Sequence, residues 1–161
     1  MIFGFSGALI AGFILTASAN WTSSIPYQGR PLLFLVFLWT VERLSYFLPI
    51  STHIQFVLLN MFFPALLLML FLKLKDFPKQ RNVFIPIILG ITIANTLHSF
   101  GYIYDNDTFE NSGKELAIGL IKLIVLLIGG RVIPFFSRKK IQGLEITLPK
   151  WINPLALIPI I

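Results

Sequence analysis

The sequence predicts an all-α fold, a polytopic bundle of membrane-spanning helices, on three observations. Five apolar stretches, residues 1–19, 31–49, 53–72, 83–103 and 115–136, each reach the roughly 17–25 residues that a bilayer-crossing helix needs. The composition is far from that of a soluble domain: 56% of residues are apolar, 12% are charged and the mean hydropathy is +0.82, where about a quarter of residues would ordinarily be charged. The loops alternate in charge. Lys73, Lys75, Lys79 and Arg81 share one, and Arg138, Lys139, Lys140 and Lys150 another, while the stretch from Tyr104 to Lys114 holds Asp105, Asp107 and Glu110. The positive-inside rule then makes the basic loops cytoplasmic and the acidic one external. The whole chain, 1–161, reads as one transmembrane domain.

Taken in order, the first span begins without the basic residues of a signal peptide and reads as a retained helix. Its small residues Gly4, Ala8, Ala11 and Gly12 crowd one face, which lets another helix approach closely. The second span opens at Pro31 and carries Glu42 and Arg43. The third opens near His53 and contains Pro64. The fourth follows Pro78, passes through Pro86 and carries His98. The fifth contains Lys122, Gly129, Gly130, Arg131 and Pro134. Pro31, Pro49 and Pro78 fall at span ends, where a missing N–H costs little, whereas Pro64, Pro86 and Pro134 lie further inside and predict local bends. Residues 151–161 are apolar but about half a bilayer long at 1.5 Å per residue, a partial sixth span.

Several functions are excluded early. The thirteen basic residues mark topology and do not form an exposed basic module with interleaved aromatics, so no nucleic acid is expected. There are no cysteines, hence no disulfide, no thiolate metal site and no covalently attached haem. Neither a phosphate-binding glycine loop nor a hydrolytic triad motif is present. The lipid bilayer is the expected surrounding.

The residues left to carry function are the polar ones inside the spans, because each costs a few kcal/mol in hydrocarbon unless held. Glu42 and Arg43 are adjacent and project about 100° apart on a helix, so each is expected to need its own partner. Glu42 and Lys122 lie at roughly 13 and 10 Å below the outer surface on a 1.5 Å rise, which lets them pair. The bland reading is that these charges anchor a bundle by snorkelling and by hydrogen-bonding carbonyls. His98, late in the fourth span, and His53, opening the third, stand at one level, and neutral imidazole suits haem iron or copper. At the opposite end, Asn20 and Trp21 close the first span and Arg131 follows Gly129-Gly130, a guanidinium suited to a carboxylate such as a haem propionate. An interfacial belt of Trp and Arg explains that cluster equally well.

The run Phe3-Gly4-Phe5, followed by Gly12-Phe13-Ile14-Leu15-Thr16-Ala17 and Asn20-Trp21-Thr22, closely resembles the signature of the NnrS family of bacterial membrane proteins. Gly130-Arg131-Val132-Ile133-Pro134-Phe135-Phe136-Ser137-Arg138 is similar to that family's second signature, and Ala94-Asn95-Thr96-Leu97-His98 resembles its Asn-to-His stretch. The resemblance implies a protein of the bacterial inner membrane with non-covalent haem, and with copper beside it, tied to nitric oxide metabolism and nitrosative-stress protection. It makes His98 the candidate metal ligand, leaves Asn20, Trp21 and Arg131 as motif residues with no assigned role, and names no reaction; together with His53, which shares the depth of His98, these are the cofactor-binding candidates. Family members have about twice as many spans as are read here, and a His-Glu pair ahead of the methionine that corresponds to Met1. The chain is therefore expected to be an internal piece, whose cofactor site would be completed by the rest of the protein or by a second copy. The competing reading, from a different class, is a small transporter or channel with a polar path along Glu42, Arg43 and Lys122.

Overall fold

The computed structural model describes residues 2–140, with side chains described as far as residue 127 apart from Ile2, Lys79, Gln80 and Asn82. The partial span expected at 151–161 lies outside the described residues. The helices are α1 (Ile2–Trp21), α2 (Arg30–Leu44), α3 (Thr52–Leu59), α4 (Phe62–Leu74), α5 (Pro78–Ile103) and α6 (Asp107–Lys140), with no strand among the described residues. The chain divides into two compact units, one running to Ala117 and the other from Ile118. The first holds α1 to α5 and the opening turns of α6; of the second, the remainder of α6 is described.

The all-α prediction holds, and three segments are long and apolar enough to cross a membrane: Phe3–Trp21, Thr52–Leu74 and Val83–Ile103. The prolines expected at helix starts are there, with Pro31 and Pro78 in the first turns of α2 and α5, where no intrahelical donor is lost. The stretch predicted at 115–136 falls within α6.

Two spans differ from expectation. The second, predicted over 31–49, is helical only over the 15 residues of α2. That length reaches about 22 Å at 1.5 Å per residue, short of the roughly 30 Å hydrocarbon core. Hydropathy continues through Tyr46-Phe47-Leu48, but Pro49 biases Leu48 away from the α region; Ser45 still has helical dihedrals, its N donating to Val41 O at 3.0 Å and its Oγ to Glu42 O at 2.7 Å, and the chain then tightens as Phe47 N reaches Leu44 O.

The third span is broken where a bend was expected. Pro64 cannot donate to the Asn60 carbonyl four residues back, and its ring clashes there, so α3 stops at Leu59 and α4 begins at Phe62 with Pro64 in its first turn. In hydrocarbon the last four carbonyls of α3 must find donors, and all four do. Phe56 O accepts from Asn60 Nδ2 at 2.9 Å and Leu59 O from Asn95 Nδ2 at 2.8 Å. The amides of Asn60 and Met61 serve Val57 O and Leu58 O at 3.1 and 3.5 Å.

The core of the first unit lies among α1, α4 and α5. Phe62, Leu66, Leu70 and Leu74 repeat every four residues along α4 and are buried, together with Phe63, against Phe3, Ile10 and Ile14 of α1 and Ile88, Ile91 and Ala94 of α5. The opposite faces leave Leu33, Phe37, Leu68, Phe71, Leu72 and Ile93 exposed, as a surface solvated by lipid tails requires. The loop after α1 is tied back by Tyr27, whose Oη donates to Met69 O at 3.0 Å while Lys73 lies over its ring.

Candidate functional site

Four elements meet around the first turn of α1, at the end of the unit where α2 and α5 finish and α6 begins. Phe3 sits between the bundle core and His98: its ring is edge-on to Phe63 and stacked on the His98 imidazole, with centroids 5.1 Å apart and planes within 19°. On the neighbouring side of the same turn, the Gly4 carbonyl accepts from Trp39 Nε1 at 2.9 Å. The Arg43 side chain lies where a Cβ on Gly4 would stand, 2.7 Å from its guanidinium nitrogen.

His98 is placed by a close approach of α5 to α6. At Gly113 a Cβ would meet the Ala94 carbonyl oxygen at 2.6 Å and the His98 Cα at 2.9 Å, and at Gly101 it would meet the Asn106 oxygen and the Glu110 Cα, both at 2.7 Å. Only glycine lets the two backbones lie this near. The turn between them is set by Asp105 in the left-handed region (φ 55°) and by Asn106, whose N donates to Gly101 O at 2.8 Å and whose Oδ1 accepts from Phe109 N. This brings Glu110 Oε1 within 3.9 Å of His98 Nδ1. Glu110 is itself held by Lys114 one turn on, at 2.5 Å, and that hydrogen-bonded ammonium keeps its carboxyl below the ordinary carboxylate range.

Three buried side-chain atoms flanking this turn have no hydrogen-bond partner: His98 Nδ1, Glu42 Oε2 and Arg43 Nε. Unpaired buried polar atoms are costly, and their concentration here distinguishes this end of the unit from its apolar core. Tyr46 and Tyr102 extend the polar rim, their rings edge-on at 5.5 Å, with the Arg43 guanidinium 5.5 Å from the Tyr46 ring.

The ion pairing differs from the sequence expectation. Glu42, only 1% exposed, is bridged by its neighbour Arg43. Adjacent Cα–Cβ vectors diverge by about 100° on a helix, yet the long arginine stem folds back along the surface and brings the guanidinium to the carboxylate. Lys122, the partner expected from depth alone, is exposed and belongs to the second unit. His53 is exposed on the first turn of α3, and no contact joins it to His98 among the described residues. Asn20 is exposed at the end of α1, and Trp21 stacks on Phe84 at 4.5 Å. Arg131 lies on α6, with its side chain outside the described set. Among the described residues no group of three or more His, Asp or Glu forms a metal cage.

Sequence reasoning did not place three contributors: Phe3 and the Asn95–Thr96 pair stand in the runs that carry the resemblance and Glu110 in the acidic loop, but nothing in the sequence set Phe3 or Glu110 beside His98 or joined Asn95 and Thr96 to Asn60. Asn60 Oδ1 accepts from Asn95 Nδ2 at 3.2 Å and from Thr96 Oγ1 at 3.0 Å, fixing the turn of α5 just before His98 to the α3–α4 break. A signal was present in Asn60 standing four residues before Pro64. Asn95→Leu leaves Leu59 O and Asn60 Oδ1 short of a donor, so a loss of about 1–3 kcal/mol is expected, to be measured as a shift in the unfolding midpoint of the detergent-purified chain. Asn95→Asp, which keeps the shape but not the donor, should lose a similar amount.

The family model described as NnrS protein matches residues 1–161, the full length of the chain. No curated protein and no solved structure matches it.

Proposed function

The chain belongs to the NnrS family, and on that premise we propose that it is a haem-associated membrane protein acting in nitric oxide metabolism or nitrosative-stress protection, with His98 as the ligand to iron. The observation that carries this reading is His98 itself: a half-buried imidazole stacked on Phe3, its Nδ1 without a hydrogen-bond partner, in a chain whose described residues offer no other buried histidine. One imidazole nitrogen of His98 would hold the iron, and Phe3, stacked on that ring, would fix its orientation. Copper asks for more donors than the described residues bring together at this end, so haem is the group this proposal takes first and copper would draw on ligands outside the described set.

When bound, haem supplies an iron with an open position for a diatomic ligand. The residues of this chain then have separable tasks. Glu110 stands where a small side-chain rotation brings it to the proton on Nδ1, which leaves Nε2 as the ligating nitrogen, the arrangement in which carboxylates commonly orient ligand histidines. Arg43, whose guanidinium answers Glu42, keeps its Nε unpartnered, and that N–H can donate to an anionic edge such as a propionate. Gly113 and Gly101 hold α5 and α6 close enough to keep Glu110 and His98 together. The bilayer in question would be the bacterial inner membrane with the basic loops cytoplasmic, and the rest of a longer protein or a second copy would complete the site. Asn20, Trp21 and Arg131 belong to the runs that resemble the family's signatures and are proposed, on that resemblance alone, as further cofactor-binding residues.

The transporter reading gains little. A broken helix is what it calls for, but every terminal carbonyl of α3 already has a donor, and Glu42 and Arg43 answer each other. Membranes containing the chain are expected to clear nitric oxide faster than membranes containing His98→Ala at equal protein content, whereas His53→Ala should match the parent. Equal rates for the parent and His98→Ala would refute the proposal.

A further inference from the structure

Among the described residues Glu42 is the only charged side chain that is fully buried, and the haem reading gives it no task. Its charge is met on one side alone. Oε1 is bridged by Arg43 Nη2, whereas Oε2 has no hydrogen-bond partner. An ionised carboxyl spreads its charge over both oxygens, so in an apolar bundle part of that charge goes unanswered. Burial opposes the ionised form and Arg43 supports it, and neither form is locked by a second donor.

We propose that Glu42 is a proton-exchange site, its carboxyl alternating between an ion pair with Arg43 and a protonated form, with Tyr46 and Tyr102 leading from it to the surface. The proton comes from water; an O–H bond forms on the carboxyl and the bridge to Arg43 opens. Arg43 can leave without burying its own charge. Its side chain is 24% exposed, lies across Gly4, which puts no Cβ in its way, and has the Tyr46 ring 5.5 Å away as a second resting place. The half-buried Tyr46 ring meets that of Tyr102, which is exposed, so two phenols, each able to donate and to accept, run from the pair to the rim. The surrounding helices add little charge of their own. α1 has no titratable side chain; α3 has only His53, exposed on its first turn; and the one such group of α4, Lys73, is engaged with Ile25 O and the Tyr27 ring. α5 brings Tyr102 and His98, and of the acids in the opening turns of α6, Glu110 is answered by Lys114, while Asp107 and Glu115 are exposed. Ionisable groups held inside a membrane bundle commonly serve as proton carriers, and this one needs no haem to do so.

The infrared spectrum of the full chain in hydrated lipid films, without cofactor, tests this. A protonated carboxyl in apolar surroundings has a C=O stretch above those of solvated carboxyls and of the amides. The parent is expected to show such a band, growing as the pH is lowered and shifting on transfer to D2O. It should be absent from Glu42→Gln, displaced in Glu42→Asp and intact in Glu110→Gln. Tyr46→Phe combined with Tyr102→Phe should leave the band in place and slow its shift in D2O several-fold. Glu42→Asp, which retains a carboxyl, assigns the band should Glu42→Gln fail to fold, as judged by circular dichroism. The proposal is overturned by a parent that shows no such band at any pH at which it stays folded, or by a band that does not change with pH. It is equally overturned if the band is unaltered in a folded Glu42 variant, or if exchange in the double phenylalanine variant is as fast as in the parent.

Discussion

Arg43→Met is expected to destabilise the chain by about 3–5 kcal/mol, the usual cost of leaving a buried charge without its partner. Glu42 is 1% exposed and its Oε2 is already without a hydrogen bond, so removing the guanidinium leaves an acceptor-only carboxylate in an apolar bundle. The double variant Glu42→Leu with Arg43→Met removes both charges and should recover most of that loss, since a buried pair is often no better than well-packed apolar side chains. Unfolding midpoints of the two single variants and the double variant close the cycle. A mild effect of Arg43→Met, with no recovery in the double, would show that Glu42 is satisfied from elsewhere.

Gly113→Ala is the second large effect. The atoms a methyl would meet are the Ala94 carbonyl oxygen and the backbone of His98, none of which yields without parting α5 from α6. Overpacking of this kind costs about 1–3 kcal/mol and sometimes more. Parting the helices also carries Glu110 away from His98, so the variant should lose stability and any property that depends on that histidine. Gly119→Ala, where a Cβ meets nothing within 4 Å, is the control; on helix propensity alone it should be neutral or stabilising by up to about 1 kcal/mol. Equal behaviour of the two variants in thermal unfolding would contradict the close approach.

The residues differ in how legible they were. Long apolar runs fix helix existence and class because a bilayer demands internal satisfaction of the backbone, so α1, α5 and the α3–α4 segment were readable as spans. Helix ends were not: hydropathy carries no signal of the tightened turn after Ser45, where Phe47 N reaches Leu44 O ahead of Pro49. The break at Asn60 was half legible. Pro64 announced a disturbance, but whether it bends or breaks the helix depends on Asn95, 35 positions away in sequence, supplying the donor that makes a break tolerable. The expectation that Glu42 and Arg43 would each need a separate partner failed for a different reason, since Cβ directions do not limit a side chain as long as arginine. His98 stood out from its position in an apolar span and from the family resemblance, whereas Phe3 and Glu110 belong to its surroundings only through tertiary packing. Apolar and acidic residues near helix ends are too common to single out without it.

The account rests on His98 facing a haem, and the most direct measurement is the visible absorption spectrum of the detergent-purified chain, oxidised and then reduced, beside that of His98→Ala. The account predicts a Soret band in the parent that shifts on reduction and is lost or strongly diminished in His98→Ala, with His53→Ala unchanged. A parent spectrum with no haem band after reconstitution with haem, or a band of equal intensity and position in His98→Ala, would contradict it.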